Sequence, residues 1–272
     1  MSEGVPDGAA AARPVVARHG VRLRCRDWGG TGHDAVLLHG LAGHTGEWDA
    51  LARELSPHLR LIAYDQRGHG TSDRHPADVS RAAHVADVVA VAEQLGLDRP
   101  VLIGHSLGGH TAMLTAAAHP ELVRALVLVE SGPGGNPQAP AEIGAWLDSW
   151  PVPFASRAAA VDFFGGGPVG EAWAAGLEVR GGGLWPRFER VVLVGSLAES
   201  ARAYGEEWRG VGCPTLAVLA RTGLLPARAV DAMLRARPAT RAVSVPGTGH
   251  DLHLERPKVL GQLIRGFLDE LN

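Results

Sequence analysis

Gly104-His105-Ser106-Leu107-Gly108-Gly109 closes an apolar run over residues 100–104 and opens a helical pattern that reaches Ala118, where His119-Pro120 ends it. The fold turns on this stretch. A strand that bends sharply into a helix lifts a serine hydroxyl above the edge of a sheet, and glycines on either side remove side chains that would collide across the bend. The start of the new helix adds backbone N–H groups and a positive dipole end beside Ser106. Gly-x-Ser-x-Gly by itself is weak in a chain with 36 glycines, so it counts here for its strand–turn–helix setting.

Working outward, apolar runs alternate with helical patterns. Strands are expected at residues 21–27, 35–39, 59–65, 100–104, 125–130, 215–220 and 241–245. From Ala35 onward the runs show no polar alternation, as in strands buried on both faces. Val85, Val88, Val89, Ala92 and Leu95 share one helix face, with Ser80 as N-cap and Gly96 as stop. Val259, Leu260, Leu263, Ile264, Phe267 and Leu268 make a second apolar stripe behind Pro257, which suits a first helical turn. The pattern predicts an α/β fold with a mostly parallel sheet covered by helices on both faces.

Between about Gly132 and Trp208 the alternation stops. Five of the seven tryptophans and four of the five phenylalanines lie in this segment. An insert that leaves the C-terminal end of a strand sits over the face where open α/β sheets bind ligands. Trp146, Trp150, Phe154 and Trp185 are therefore the candidate lining of an apolar substrate pocket. The competing reading makes them the small core of a helical insert.

Composition narrows the function classes. The 272 residues allow one large domain or two small ones, and 46% apolar with 20% charged residues is ordinary for a globular chain. Apolar stretches stay far short of the roughly 20 residues a membrane span needs. A net charge of −3 without a basic stripe argues against a nucleic-acid partner. Cys25 and Cys213 form neither a disulfide framework nor a Cys-x-x-Cys site, which suits a cytoplasmic location. Residues 1–12 carry no Lys or Arg and no long apolar run, so they read as a frayed leader rather than a signal peptide. No metal motif stands out, since His250-x-x-His253 lacks the Glu of a zinc helix. The expected partner is a hydrophobic small molecule, with no cofactor, nucleic acid or membrane, and a homodimer is left open.

A serine needs a base to take its proton. His250, in Gly249-His250 after the run at 241–245, leaves the C-terminal edge of the sheet and is the first candidate; His253 is the second. The base in turn needs a carboxylate. Residues 221–225, after the run at 215–220, hold no acid, and Asp231 falls inside a helical pattern. Glu130 ends the buried run one strand along from Ser106. An unpaired buried charge is costly, so Glu130 requires a partner, and His250 would be that partner. His39-Gly40-Leu41-Ala42-Gly43 ends another strand, and its turn can aim a backbone N–H at the oxyanion. The two donors are assigned to Leu41 and Leu107, with Gly40 as the near alternative.

Four blocks together resemble the α/β-hydrolase superfamily. They are His39-Gly40-Leu41, Asp65-Gln66-Arg67-Gly68-His69-Gly70-Thr71-Ser72, residues 104–109, and Gly249-His250 with Leu254-Glu255-Arg256-Pro257. The resemblance runs from about Val15 to the end. It implies an eight-stranded core over 1–132 and 209–272, and a helical cap over 133–208. Most members carry the acid where this chain has Thr222-Gly223. The placement at Glu130, after strand six, is similar to zearalenone-type lactone hydrolases and to one type of haloalkane dehalogenase. A dehalogenase needs an Asp nucleophile, whose alkyl ester can be hydrolysed; a serine would form an inert ether. Ser106 therefore suits acyl transfer, and the resemblance implies a serine hydrolase of an ester or lactone. Carbon–carbon bond hydrolases, cofactor-free perhydrolases and non-turnover ligand receptors use the same fold and triad.

Overall fold

A computed structural model describes residues 12–271. Its strands are β1 (Val15–Arg18), β2 (Val21–Gly29), β3 (His33–Leu38), β4 (Leu59–Tyr64), β5 (Val101–His105), β6 (Ala125–Val129), β7 (Glu178–Arg180), β8 (Gly183–Trp185), β9 (Thr215–Ala220) and β10 (Arg241–Val245). Its α-helices are α1 (Asp49–Leu55), α2 (Arg81–Gln94), α3 (Ser106–Ala118), α4 (Ala139–Asp148), α5 (Arg157–Phe163), α6 (Gly167–Ala175), α7 (Arg190–Ala198), α8 (Gly205–Gly210), α9 (Ala227–Ala236), α10 (Leu252–Glu255) and α11 (Pro257–Asp269).

Eight strands form one sheet in the order β1-β2-β4-β3-β5-β6-β9-β10. The pairs from β4 to β10 are parallel, while β2 runs antiparallel to both β1 and β4. Side chains alternate across a strand, so each central strand feeds two cores. Val36, Leu38, Ile62, Leu102, Leu126 and Leu128 pack with α2, α3 and α8 on one face. Ala35, Leu37, Leu61, Ile103, Val127 and Val129 pack with α1 and α11 on the other. Ser80 caps α2 by accepting the Ala83 N–H at 3.1 Å. Pro257 opens α11.

Two expectations need correction. The run at 241–245 was expected to be buried on both faces, but β10 is the sheet's edge and only Val245 is buried. β1 is an additional strand, only four residues long. His19 and Gly20, at φ 47° and 80°, turn it back onto β2. That is the left-handed pair a two-residue hairpin requires. The leader expected at 1–12 lies outside the described residues except for Ala12.

Residues between β6 and β9 hold α4–α7 and the β7–β8 hairpin, with their own cluster of Leu147, Trp150, Phe154, Ala160, Ala174, Leu177 and Leu193. Trp208, expected in this insert, instead joins the first core, where its indole N–H donates to the Met233 carbonyl at 2.8 Å. Among the described residues no helix is long and apolar enough to cross a membrane.

Candidate active site

Ser106 is the first residue of α3, and its backbone sits at φ 49°. A non-glycine residue held there costs on the order of 1–3 kcal/mol, which the surroundings must over-determine. They do so by close approach. A β-carbon at Gly104 would lie 2.5 Å from the Gly108 carbonyl oxygen and from the Gly109 nitrogen. One at Gly108 would run into the carbonyls of Leu38 and His39. The Ser131 hydroxyl then donates to the Ser106 carbonyl at 2.7 Å. Neither Ser131 nor its role was read from the sequence.

The turn after β3 lies against this bend. A β-carbon on Gly40 would be 3.4 Å from Ser106 Cβ and 2.8 Å from His105 Nδ1. Gly43 N–H closes the turn on the Gly40 carbonyl at 3.2 Å, and Ala42 takes φ 61°. Leu41 sits inside that turn. Leu107 is the second residue of α3, so its N–H is among the four that have no intrahelical acceptor.

Glu130 follows β6 with φ 48° and a side chain only 1% exposed. Its Oε2 lies 3.5 Å from His250 Nδ1. The loop after β9, which lacks an acid, wraps this carboxylate instead. Ala220 N–H donates to Oε1 at 2.6 Å and Leu224 N–H to Oε2 at 3.2 Å. A β-carbon at Gly223 would overlap the carboxylate, so glycine there is a spatial requirement. The same loop reaches the segment that carries His250: Thr222 donates its hydroxyl to the Thr248 carbonyl at 2.8 Å.

His250 is held from behind. His105 Nε2 donates to the His250 carbonyl at 2.9 Å, and the two rings lie 4.6 Å apart. Gly249 N–H donates to both Glu255 oxygens at 3.0 Å. His253, the second candidate base, is 1% exposed and faces inward, with Nε2 3.6 Å from Glu47 Oε2. Burial lowers its pKa to about 4 and raises that of Glu47 to about 8, so both are neutral near pH 7. His105, Asp251 and His253 bring ligand atoms within 4.8 Å of one another. Asp251 is already engaged by the Trp173 indole N–H at 3.1 Å.

Comparison with known proteins accords with this arrangement. A family model described as the alpha/beta hydrolase fold matches residues 36–162. A 2-(acetamidomethylene)succinate hydrolase of Mesorhizobium japonicum is 27% identical over 253 residues, 88% of this chain and 89% of that protein. The crystal structure of an E-2-(acetamidomethylene)succinate hydrolase superposes with a TM-score of 0.89 at 25% identity, covering 96% of this chain and 100% of that one. The chain belongs to the α/β-hydrolase superfamily. A putative 2-succinyl-6-hydroxy-2,4-cyclohexadiene-1-carboxylate synthase of Bacillus subtilis is also 28% identical, over 94% of this chain and 98% of that protein.

In this α/β-hydrolase the four aromatics named from the sequence part company. Trp150 lines a cavity of ≈ 10 Å³ beside Ala42 and Gly43. Phe154 is 1% exposed and belongs to the insert's own core. Trp146 is 38% exposed and packs edge-on against Trp150 and Trp173. Trp185 lies on the β7–β8 hairpin, where the Arg180 guanidinium covers its ring 4.6 Å from the centroid. Trp173 and Phe188, which the sequence reading did not single out, line the same cavity as Trp150. Aromatic content marked the segment, but most of these rings stand on loops and a short hairpin, so the packing of the insert decides which of them face inward.

Proposed function

We propose that this chain is a serine hydrolase that cleaves an ester or lactone of a hydrophobic small molecule through an acyl-enzyme. The observation that carries this reading is Ser106 held at φ 49° on the strand–helix bend, on the sheet edge where Glu130 meets His250 at 3.5 Å. Glu130 at Nδ1 fixes the imidazole so that Nε2 is free to act as base. Ser106 Oγ attacks the carbonyl carbon while His250 takes its proton. The N–H groups of Leu41 and Leu107 hold the oxyanion. The tetrahedral species collapses as His250 returns the proton to the leaving alcohol. Water, activated by the same imidazole, then adds to the acyl carbon and frees the acid. The insert of α4–α7 and the β7–β8 hairpin acts as a cap that keeps bulk water from the acyl group.

A fluorophosphonate probe tests the nucleophile. It is expected to label the wild type and leave Ser106→Ala unlabelled; labelling of both would remove Ser106 from the mechanism. Chromogenic esters are expected to turn over many times, whereas one turnover with a modified His250 would mark a receptor. A second reading is carbon–carbon bond hydrolysis without an acyl-enzyme on the same triad, since the long similarity to a protein named a synthase means that relatives are not confined to ester cleavage. Hydroxylamine separates the two, because only an acyl-enzyme yields a hydroxamate.

A further inference from the structure

A groove of ≈ 550 Å³ runs between the core and the insert. Arg13, Arg24, Arg26 and Arg187 line it, and among the described residues its lining holds two carboxylates, Asp49 and Asp65. Both carboxylates are committed. Asp49 pairs with Arg26 at 2.7 Å and accepts from Trp28 Nε1 at 3.0 Å. Asp65 accepts from the N–H groups of Thr45 and Thr71 at 2.8 and 2.7 Å, and from the Thr71 hydroxyl at 2.8 Å. Among the described residues neither Arg24 nor Arg187 has an ion-pair partner.

Arg187, His44, Gly70 and Gly176 line both this groove and the small cavity beside Ala42 and Gly43. Arg187 thus stands where the groove narrows toward the oxyanion turn. Two residues that line the small cavity carry a buried donor with no hydrogen-bond partner among the described residues: Arg187 at Nε, and Trp150, 6% exposed, at its indole Nε1. His44 contributes no free acceptor. Its Nδ1 accepts from Gly46 N–H at 3.1 Å, so its Nε2–H donates to the Ala172 carbonyl at 3.0 Å. Buried donors without acceptors are rare in native proteins and usually face a ligand or water. This pair calls for a ligand rich in oxygen acceptors and negative in charge.

We propose that the substrate carries a carboxylate, which Arg187 and the Trp150 indole N–H bind at the mouth of the pocket, with Arg24 supplying positive charge along the approach. A planar guanidinium fork matches a carboxylate bidentately. This rests on the serine-hydrolase reading and adds a substrate class to it. The acyl group is then anionic at one end.

The test compares mono-p-nitrophenyl glutarate with p-nitrophenyl pentanoate, its uncharged analogue. The wild type is expected to favour the anionic ester in kcat/KM, and the ratio of the two is expected to fall about 10–100-fold in Arg187→Met, the range for a charge-assisted hydrogen bond. Arg187→Lys should restore only part of the ratio, and Trp150→Phe, which keeps the ring and removes the N–H, should lower it by a smaller factor. Preference for pentanoate, or a ratio unchanged in Arg187→Met, would overturn the proposal. An independent arm uses Ser106→Ala and follows tryptophan fluorescence as glutarate is added. Saturable quenching that disappears in Ser106→Ala/Arg187→Met supports carboxylate binding whatever the nucleophile proves to be. Quenching by inorganic phosphate and not by glutarate would overturn it. If Ser106→Ala still cleaves both esters, the nucleophile assignment fails while the fluorescence arm still decides the Arg187 site.

Discussion

At Gly223 the Glu130 carboxylate leaves room for a hydrogen and nothing larger. The backbone there has no left-handed requirement, so Gly223→Ala isolates the steric contact. It is expected to push the carboxylate off His250 and lower kcat by about 10²-fold, the scale of a misplacement near 1 Å, while the variant still folds. Steady-state kinetics and circular dichroism check both parts. Glu130→Gln goes further, because the amide can present the wrong group to Nδ1. A fall in kcat of up to about 10⁴-fold is expected, as when the orienting carboxylate of a Ser-His-Asp triad is amidated. A change below about tenfold would move the orienting role to another group.

Among the elements, the loop between β4 and α2 is fastened by a buried ion pair. Arg67 Nε and Nη2 meet the two Asp87 oxygens at 2.6 and 2.5 Å, and the side chains are 3% and 0% exposed. Such a pair fixes the loop that carries Gly70 and Thr71 along the groove. Removing one partner strands the other charge, so Asp87→Ala should destabilise the fold by about 3–5 kcal/mol. Urea unfolding reads that loss, and the double variant Arg67→Met/Asp87→Leu should recover most of it. A second fastening joins the insert to the loop of His250: the Trp173 indole on α6 donates to Asp251, its neighbour. Trp173→Phe is expected to loosen this link and raise KM while the fold persists, which a thermal melt run beside the kinetics would verify.

Over the whole molecule, buried histidines set the acid limit of stability. Burial is the leading cause that lowers His39 and His110 to about 3 and His69 and His253 to about 4, and it drives His84 and His105 well below the ordinary value. In the unfolded chain each titrates near 6.5, so between about pH 6.5 and 4 the unfolded state binds more protons than the native one. Stability therefore falls as pH drops through that window. Glu47, raised to about 8 by burial, acts the opposite way: the unfolded carboxylate ionises first, and stability declines gently as pH rises from its ordinary value toward 8. Asp87 is also raised by burial, and the six histidines outweigh these two carboxyls on the acid side. The melting temperature is expected to peak near neutrality and drop steeply below about pH 6, and a flat profile from pH 7 to 5 would contradict these burials.

The sequence by itself determined the parallel α/β core, because apolar runs of strand length that alternate with stripes at helical spacing point to strands covered by helices, although the run at 241–245 proved to be an exposed edge. It also marked the bend at Ser106, the loop at His250 and the buried acid at Glu130, since glycine spacing and a carboxylate ending an apolar run are local signals. Only the tertiary structure decided what holds them. Ser131, His105 and Gly223 act through neighbours far away in the chain, and nothing in their own surroundings announces it. The same holds for the aromatics: Trp150, Trp173 and Phe188 meet at one cavity while Phe154 fills the insert's core. Arg187 is one arginine among many until the fold shows which of them lacks a partner. Strand and helix periods are written along the chain, whereas a partner or its absence exists only once distant segments are packed together.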